Sequence, residues 1–222
     1  MLMNAAIWIL WDRFWESYPY VRDTEMEYVS AVILAAGQGK RMRSSHPKVL
    51  HRVGGKPMLL HVCGAAQAAG VKNQVVIVGH GREELLESLP ALKYVVQEQQ
   101  LGTGHAVLQA KDALPPEAEK VLVLCGDTPL LTAETLTNLI RHHRETAAAA
   151  TILTADFLDP KGYGRIVRGP SGMVERIVEH RDASPEELLI QEINSGTYVF
   201  ERADLFRALE SITPDNDQGE YY

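Results

Sequence analysis

Cysteine is scarce in this chain: Cys63 and Cys125 are the only two in 222 residues. They lie far apart and outside any Cys-x-x-Cys spacing, which argues against a disulfide framework, a zinc site and a redox pair. A reducing cytoplasm is the expected setting. Basic charge is short as well, with 22 Lys and Arg against 29 Asp and Glu, a formal net charge of -7 and no run of cations. That distribution leaves no footprint for duplex nucleic acid, so any phosphate chemistry must be local. Long apolar runs are missing too. Ala5 to Trp11 is too short to span a bilayer, and it has neither a basic flank nor a small-x-small cleavage site, so no signal peptide or membrane anchor is read from it. Aromatic residues are few, and all three tryptophans, Trp8, Trp11 and Trp15, fall in the first 28 residues.

Residues 1–28 therefore read as an atypical leader, with Met26 just ahead of the first strand. A start codon assigned too far upstream explains this leader better than an amphipathic docking segment. Residues 29–222 are enough for one α/β domain with a substantial core, and too few for a second full domain. No internal repeat, low-complexity tract or linker interrupts them. The eight histidines are dispersed. His142 and His143 adjoin, and because neighbours on a helix point to different faces, both read as solvated surface.

What the chain does have is a strand that runs into a loop of small residues. Ala31 to Leu34 is apolar without period-2 alternation, the pattern of a strand buried on both faces of a parallel sheet. Ala35, Ala36, Gly37 and Gly39 follow, so the backbone can turn sharply and present its N–H groups to a ligand. Arg41 and Lys48 then supply cations at short range, a planar fork and a point charge. The loop is not the dinucleotide fingerprint, since Met42 stands where its third glycine belongs, and it cannot be aligned as a P-loop.

Downstream, Met58, Leu59, Val62, Ala65, Ala66 and Ala69 recur at helical spacing until Gly70. Gln74 to Gly79 and Tyr94 to Val96 read as two more strands, and Gly102 to Ala110 as a helix opening at a Gly-Thr turn. Val121 to Leu124 is a fourth apolar strand, running into Cys125-Gly126-Asp127. In open α/β sheets the ligand crevice lies outside the strands' carboxyl ends, which places Asp127 opposite the Gly37 loop. Thr132 to Thr146 is a helix with Thr132 as N-cap, and Ala147 to Thr154 a strand. Gly164 to Arg168 and Met173 to Val178 then form a hairpin across a Gly-Pro-Ser-Gly turn, an insert over the sheet edge. Glu192 to Phe200 is a strand and Ala203 to Leu209 a helix.

The small-residue loop, Arg41, Lys48, the Gln97-to-Thr103 segment and Asp127 together suit nucleotidyl transfer. An anionic phosphate nucleophile needs no strong base, only positioning and neutralised charge. The motifs Leu34-Ala35-Ala36-Gly37-x-Gly-x-Arg41-Met42, Pro47-Lys48-Val49-Leu50, Gln100-Leu101-Gly102-Thr103-Gly104-His105, Gly126-Asp127-x-Pro129-Leu130, Gly162-Tyr163-Gly164-Arg165 and Gln218-Gly219-Glu220-Tyr221-Tyr222 carry a family resemblance. In this order they resemble the uridylyltransferase domain of bacterial N-acetylglucosamine-1-phosphate uridylyltransferases. The resemblance spans Val29 to Tyr222. It implies a Rossmann-like α/β nucleotidyltransferase fold with a mostly parallel mixed sheet. It also implies transfer of UMP from UTP to N-acetyl-α-D-glucosamine 1-phosphate, giving UDP-N-acetylglucosamine and pyrophosphate for peptidoglycan and lipopolysaccharide precursors.

By the same resemblance, Leu34, Ala35, Ala36 and Gly37 border the nucleotide, together with Cys125 and Gly126. Arg41 and Lys48 hold its phosphates, while Gln97, Gly102 and Thr103 read the uracil. Asp127 and Asn216 ligate Mg²⁺, and Gly164, Glu179 and Asn194 hold the amino sugar, with Tyr163 packing on it. Two departures from the family stand out: Cys125 replaces a tyrosine, and the hexapeptide repeats of an acetyl-transferring β-helix do not occur in these residues. Acetyl transfer is therefore not expected of this chain, and a monomer or weak oligomer is. The alternatives are a sugar-1-phosphate nucleotidyltransferase with another base or sugar, and a non-catalytic UDP-sugar-binding fragment.

Overall fold

The computed structural model describes residues 26, 28–37, 39, 42, 44, 46–214, 219 and 221. In chain order the elements are β1 (Val29–Leu34), a short hairpin of β2 (Arg52–Val53) and β3 (Lys56–Pro57), α1 (Met58–Ala68), β4 (Asn73–Val78) and α2 (Arg82–Ser88). Then come β5 (Tyr94–Val96), α3 (Thr103–Leu108), β6 (Lys120–Cys125), α4 (Ala133–Thr146), β7 (Ala150–Asp156), β8 (Arg165–Arg168), β9 (Val174–Val178), β10 (Glu192–Glu201) and α5 (Arg202–Leu209). Apart from the β2–β3 hairpin, all the strands join one sheet.

β1 lies at its centre, flanked by β4 and then β5 on one side and by β6 on the other, all four parallel. Its apolar run does not alternate because both faces are covered. Ala31 and Ile33 pack with Leu59, Val62 and Ala66 of α1 and with Leu136 and Ile140 of α4. Val32 packs on the opposite face with Ala106 and Val107 of α3 and Leu205 and Phe206 of α5. From β1 the chain moves outward to β4 and β5, then crosses back to β6. The point where strand order reverses thus lies between the carboxyl ends of β1 and β6, where open α/β sheets bind ligands.

Beyond β6 the sheet becomes antiparallel. β10 pairs with β6 over Tyr198–Glu201, and its register on β7 shifts between Asn194 and Thr197. Its first residues meet β8 through Ile193 and Arg165, and β9 pairs with β8, so the hairpin continues the same sheet. Thr132 caps α4 as expected, its hydroxyl accepting from Thr135 N at 3.2 Å.

The reading of His143 as solvated surface is overturned. The residue is 0% exposed and falls on the inward stripe of α4 with Leu136, Leu139 and Ile140. A carboxylate can only accept, so His143 Nε2–H donates to Glu201 Oε1 (3.2 Å) and Nδ1 accepts from the Thr151 hydroxyl (2.8 Å). Glu201 also meets Lys120 Nζ at 3.1 Å. Of the expected leader, only Met26 and Tyr28 are among the described residues, and Met26 is buried in the core.

Candidate active site

The carboxyl end of β1 is held from both neighbours. Ala35 N donates to Ile77 O (2.9 Å), and Leu34 O accepts from Gly126 N (2.9 Å), which locks the small-residue loop between β4 and β6. A Cβ on Gly37 would meet nothing within 4 Å, so its backbone is open to a ligand. Gly39 is constrained twice. Its φ is +60°, and a Cβ there would sit 2.9 Å from Lys48 Cβ. Lys48 therefore lies against the bare backbone of the loop. Its own position comes from a 3-10 turn, Lys48–Leu50, anchored by the buried Val49 and Leu50.

Lys48 Nζ pairs with Asp127 Oδ2, and about a quarter of each side chain is exposed. Asp127 stands two residues past the end of β6, after Gly126. A Cβ on Gly126 would lie 3.0 Å from Leu34 O and 3.3 Å from both Leu59 and Val49, so β6 closes on β1 only because this residue has no side chain. Lys48, Asp127 and the loop thus converge at the point of strand reversal, as the sequence predicts. Arg41 and Asn216 lie outside the described residues.

The expected base-reading segment is attached to the same edge. Gly79 brings it there: a Cβ on that residue would meet Ala36 Cβ at 3.1 Å and Gln100 Nε2 at 2.8 Å. Gln97 is 3% exposed, and its Nε2 donates to Gly102 O (3.1 Å) and to His105 Nδ1 (2.9 Å). Gly102 takes φ +113° at the start of α3, and Thr103 is exposed beside it.

On the other side of Asp127, Cys125 meets the shift in β10. Its Sγ donates to Gly196 O (3.5 Å), and a Cβ on Gly196, whose φ is +77°, would lie 2.8 Å from Sγ. Burial and the neighbouring Asp127 carboxylate push the Cys125 thiol up to about 11, which makes it a packing group rather than a nucleophile. Asn194 organises the shifted residues: Oδ1 accepts from Gly196 N (3.0 Å) and Nδ2 donates to Tyr198 Oη (2.6 Å), leaving one amide N–H for a ligand. Burial pushes the Tyr198 hydroxyl up to about 12.

Asn194 N also donates to Gly164 O (2.9 Å), and a Cβ on Gly164 would stand 2.9 Å from Glu179 Oε1. Gly164, Glu179 and Asn194 therefore form one wall. Glu179 is half-buried, and its pKa is raised by burial first and by the Asp182 charge second. The expected aromatic, Tyr163, is exposed and packs edge-on against Phe157 (5.2 Å, 70°). Sequence reasoning assigned no role to His105, Tyr198 or Tyr221. Tyr221 N donates to Leu101 O (2.7 Å) and Tyr221 O accepts from Gly104 N (2.8 Å). For His105 and Tyr221 a signal was available, since they belong to the two most specific motifs.

The donor set at Asp127 bears on a metal. Among the described residues no three His, Cys, Asp or Glu side chains cluster as a preformed cage. Asp127 is a partly exposed carboxylate for which Lys48 competes with a cation, and it suits Mg²⁺, which is held by one or two carboxylates together with substrate phosphates. The residues present fit that ion.

The MobA-like NTP transferase domain matches residues 31–221. The chain is 58% identical over 193 residues to the bifunctional protein GlmU of Exiguobacterium sibiricum, an alignment covering 86% of this chain and 43% of that protein. With its Bacillus subtilis namesake it shares 53% over 193 residues, 86% of this chain and 42% of the other. The chain thus spans less than half the length of these relatives. Among solved structures, a putative glucose-1-phosphate thymidylyltransferase from Bacillus anthracis in complex with sucrose superposes with TM-score 0.71 at 19% identity, covering 84% of this chain and 76% of that one. A UDP-glucose pyrophosphorylase complexed with UDP-glucose gives 0.70 at 18% identity, covering 86% and 82%. At these identities the likeness establishes the fold.

Proposed function

The chain belongs to the MobA-like NTP transferase domain family, and from that premise we propose that it transfers UMP from UTP to N-acetyl-α-D-glucosamine 1-phosphate. The products are UDP-N-acetylglucosamine and pyrophosphate. The observation that carries this reading is the Lys48–Asp127 pair at the point of strand reversal, with the Gln97 segment on one side and the Gly164–Glu179–Asn194 wall on the other. Identity to bifunctional GlmU proteins supports the choice of substrates.

A phosphate oxygen of the sugar phosphate forms a bond to the α-phosphorus of UTP, and the bond to the bridging α–β oxygen breaks in line with it. Pyrophosphate leaves with the electron pair, and no protein base is needed. Lys48 neutralises charge on the phosphates, joined by Arg41. The bare backbone at Gly37 and Gly39 lets those phosphates approach the loop. Gln97, Gly102 and Thr103 complement the uracil edge, and the Asn194 amide and Glu179 carboxylate hold sugar hydroxyls and the acetamido group. Asp127 would hold Mg²⁺, joined by Asn216, and the ion would supply charge neutralisation on the triphosphate. The chain acts in the cytoplasm as a monomer or weak oligomer, without nucleic acid. No helix among the described residues is long and apolar enough to cross a membrane.

Pyrophosphate release from UTP and N-acetylglucosamine 1-phosphate, with and without Mg²⁺, tests the proposal. The expected result is metal-dependent release that falls when dTTP replaces UTP or glucose 1-phosphate replaces the amino sugar. Equal or faster turnover with either substitute would reassign the substrate. Binding of UDP-N-acetylglucosamine without any release would make the chain a binding module.

A further inference from the structure

The two most specific motifs of the chain, residues 100–105 and 218–222, stand more than a hundred positions apart, and the structure joins them. Tyr221 N donates to Leu101 O (2.7 Å), and Tyr221 O accepts from Gly104 N (2.8 Å). This is a two-bond backbone ladder across the loop that opens α3. No side chain caps that helix start, so the Tyr221 carbonyl satisfies a donor that would have no intrahelical partner. The Tyr221 ring lies 6.4 Å from the His105 ring. His105 Nδ1 in turn accepts from Gln97 Nε2 (2.9 Å), and the same amide nitrogen holds Gly102 O (3.1 Å).

We propose that Tyr221 and His105 are positioning residues for base selection, acting as a clamp that fixes the Gln97 amide and the Gly102–Thr103 backbone to receive a uracil edge. The inference rests on the reading of this segment as the nucleobase site. A side-chain amide rotated by half a turn exchanges donor for acceptor, so a fixed amide distinguishes uracil from cytosine and a free one does not. Gly102 O can only accept, so it gives the amide one orientation, and His105 Nδ1 takes the second N–H of the same nitrogen and holds the amide in that plane. The Tyr221 backbone holds the loop carrying His105 and Gly102 at the required distance.

The test compares His105→Ala, His105→Asn and Tyr221→Pro with the wild-type chain. Asn keeps an acceptor near the position of Nδ1, and Pro removes the donor to Leu101. Kinetics with UTP and CTP, and calorimetric titration of both nucleotides, supply independent readouts. His105→Ala and Tyr221→Pro are expected to raise KM for UTP about tenfold and to shrink the UTP-over-CTP preference by a similar factor, the loss typical of one hydrogen bond at a recognition site. KM for the sugar phosphate should stay within about twofold, and His105→Asn should recover most of the preference. A wild-type chain that binds UTP and CTP alike would overturn the uridylyl reading and the clamp with it. A wild type that prefers UTP, with variants that keep both the preference and the KM, would overturn the clamp alone. Equal loss for both nucleotides with a lowered Tm and no recovery in His105→Asn would reduce the contacts to packing and also overturn it.

Discussion

Gly39→Ala isolates how the phosphate loop sets the position of Lys48. At φ +60° an alanine pays a left-handed backbone cost of about 1–2 kcal/mol. Its Cβ would also fall 2.9 Å from Lys48 Cβ, so the two must separate by roughly 0.6–1 Å to reach ordinary carbon contact. Lys48 is anchored behind by Val49 and Leu50 in the core, so the displacement goes into the loop and the ammonium. A misplacement of that size at a group stabilising transferred charge lowers kcat by about 10–100-fold. The backbone cost by itself lowers Tm by only about 2–8 °C for a chain of this length. Gly37→Ala is the control, because its Cβ meets nothing and its φ is not left-handed. That variant should keep Tm and kcat and show only weaker nucleotide binding. Steady-state pyrophosphate release alongside thermal melting reads both. If Gly39→Ala lost several degrees of Tm while keeping wild-type kcat, the claim that the glycine sets the lysine would be wrong.

Glu179→Gln should stabilise the protein and weaken the sugar subsite. Burial raises the Glu179 pKa, so its charged form costs stability at neutral pH. The gain from glutamine should be full at pH 7.5 and vanish as pH falls towards 4.5, while KM for the sugar phosphate rises about tenfold. An unchanged KM would remove Glu179 from the sugar site. Asp127→Asn should lower turnover at least about 100-fold at unchanged Tm, and near-normal rates in Mg²⁺ would refute its role. Lys48→Met vacates that carboxylate, so Mn²⁺ binding measured without nucleotide should tighten roughly fivefold; weaker binding would contradict the competition inferred from the pair. His143 is lowered below 6.5 by burial, more than Glu201 can offset. The unfolded chain then takes up the proton first, and stability falls as pH drops through 6.5. Thermal melts from pH 7.5 to 5.5 should show that slope in the wild type and a shallower one in His143→Asn; parallel slopes would exclude His143 as its source.

The parallel half of the fold was legible because double burial writes itself into a sequence as unbroken apolar runs. Ala31–Leu34 and Val121–Leu124 needed no partner information to be placed, and small residues at their carboxyl ends marked the loops. Asp127 followed from the topology those strands imply, and Lys48 from its short distance along the chain from the loop. His143 was missed because its adjacency to His142 drew attention from its spacing, seven after Leu136 and three after Ile140, which is the buried stripe of α4. The shift in β10 was readable only as Gly196 inside a strand pattern, a signal that marks a bulge or a close approach without telling which. Here it marks both, since the residue takes φ +77° and packs on Cys125. The ladder between Leu101–Gly104 and Tyr221 left no local trace, because backbone pairing across such a separation depends on the path of the whole chain.

The direction of one strand decides what stands across the crevice from Asp127. β10 runs antiparallel to β6, with Glu201 opposite Lys120 and Tyr198 opposite Val123. Its earlier residues therefore overshoot the carboxyl end of β6, past the level of Cys125, into the space above the crevice. Had β10 been parallel, that space would have held only another loop. Instead it holds a paired strand that carries Asn194 and recruits β8 and β9, and with them Gly164 and Glu179. The parallel strands contribute small-residue loops at the crevice, and the reversed strand contributes a hydrogen-bonded wall that faces them. Gly196 and Cys125 form the joint between the two, so under the proposed reaction their contact would set the angle at which a sugar phosphate faces the α-phosphorus.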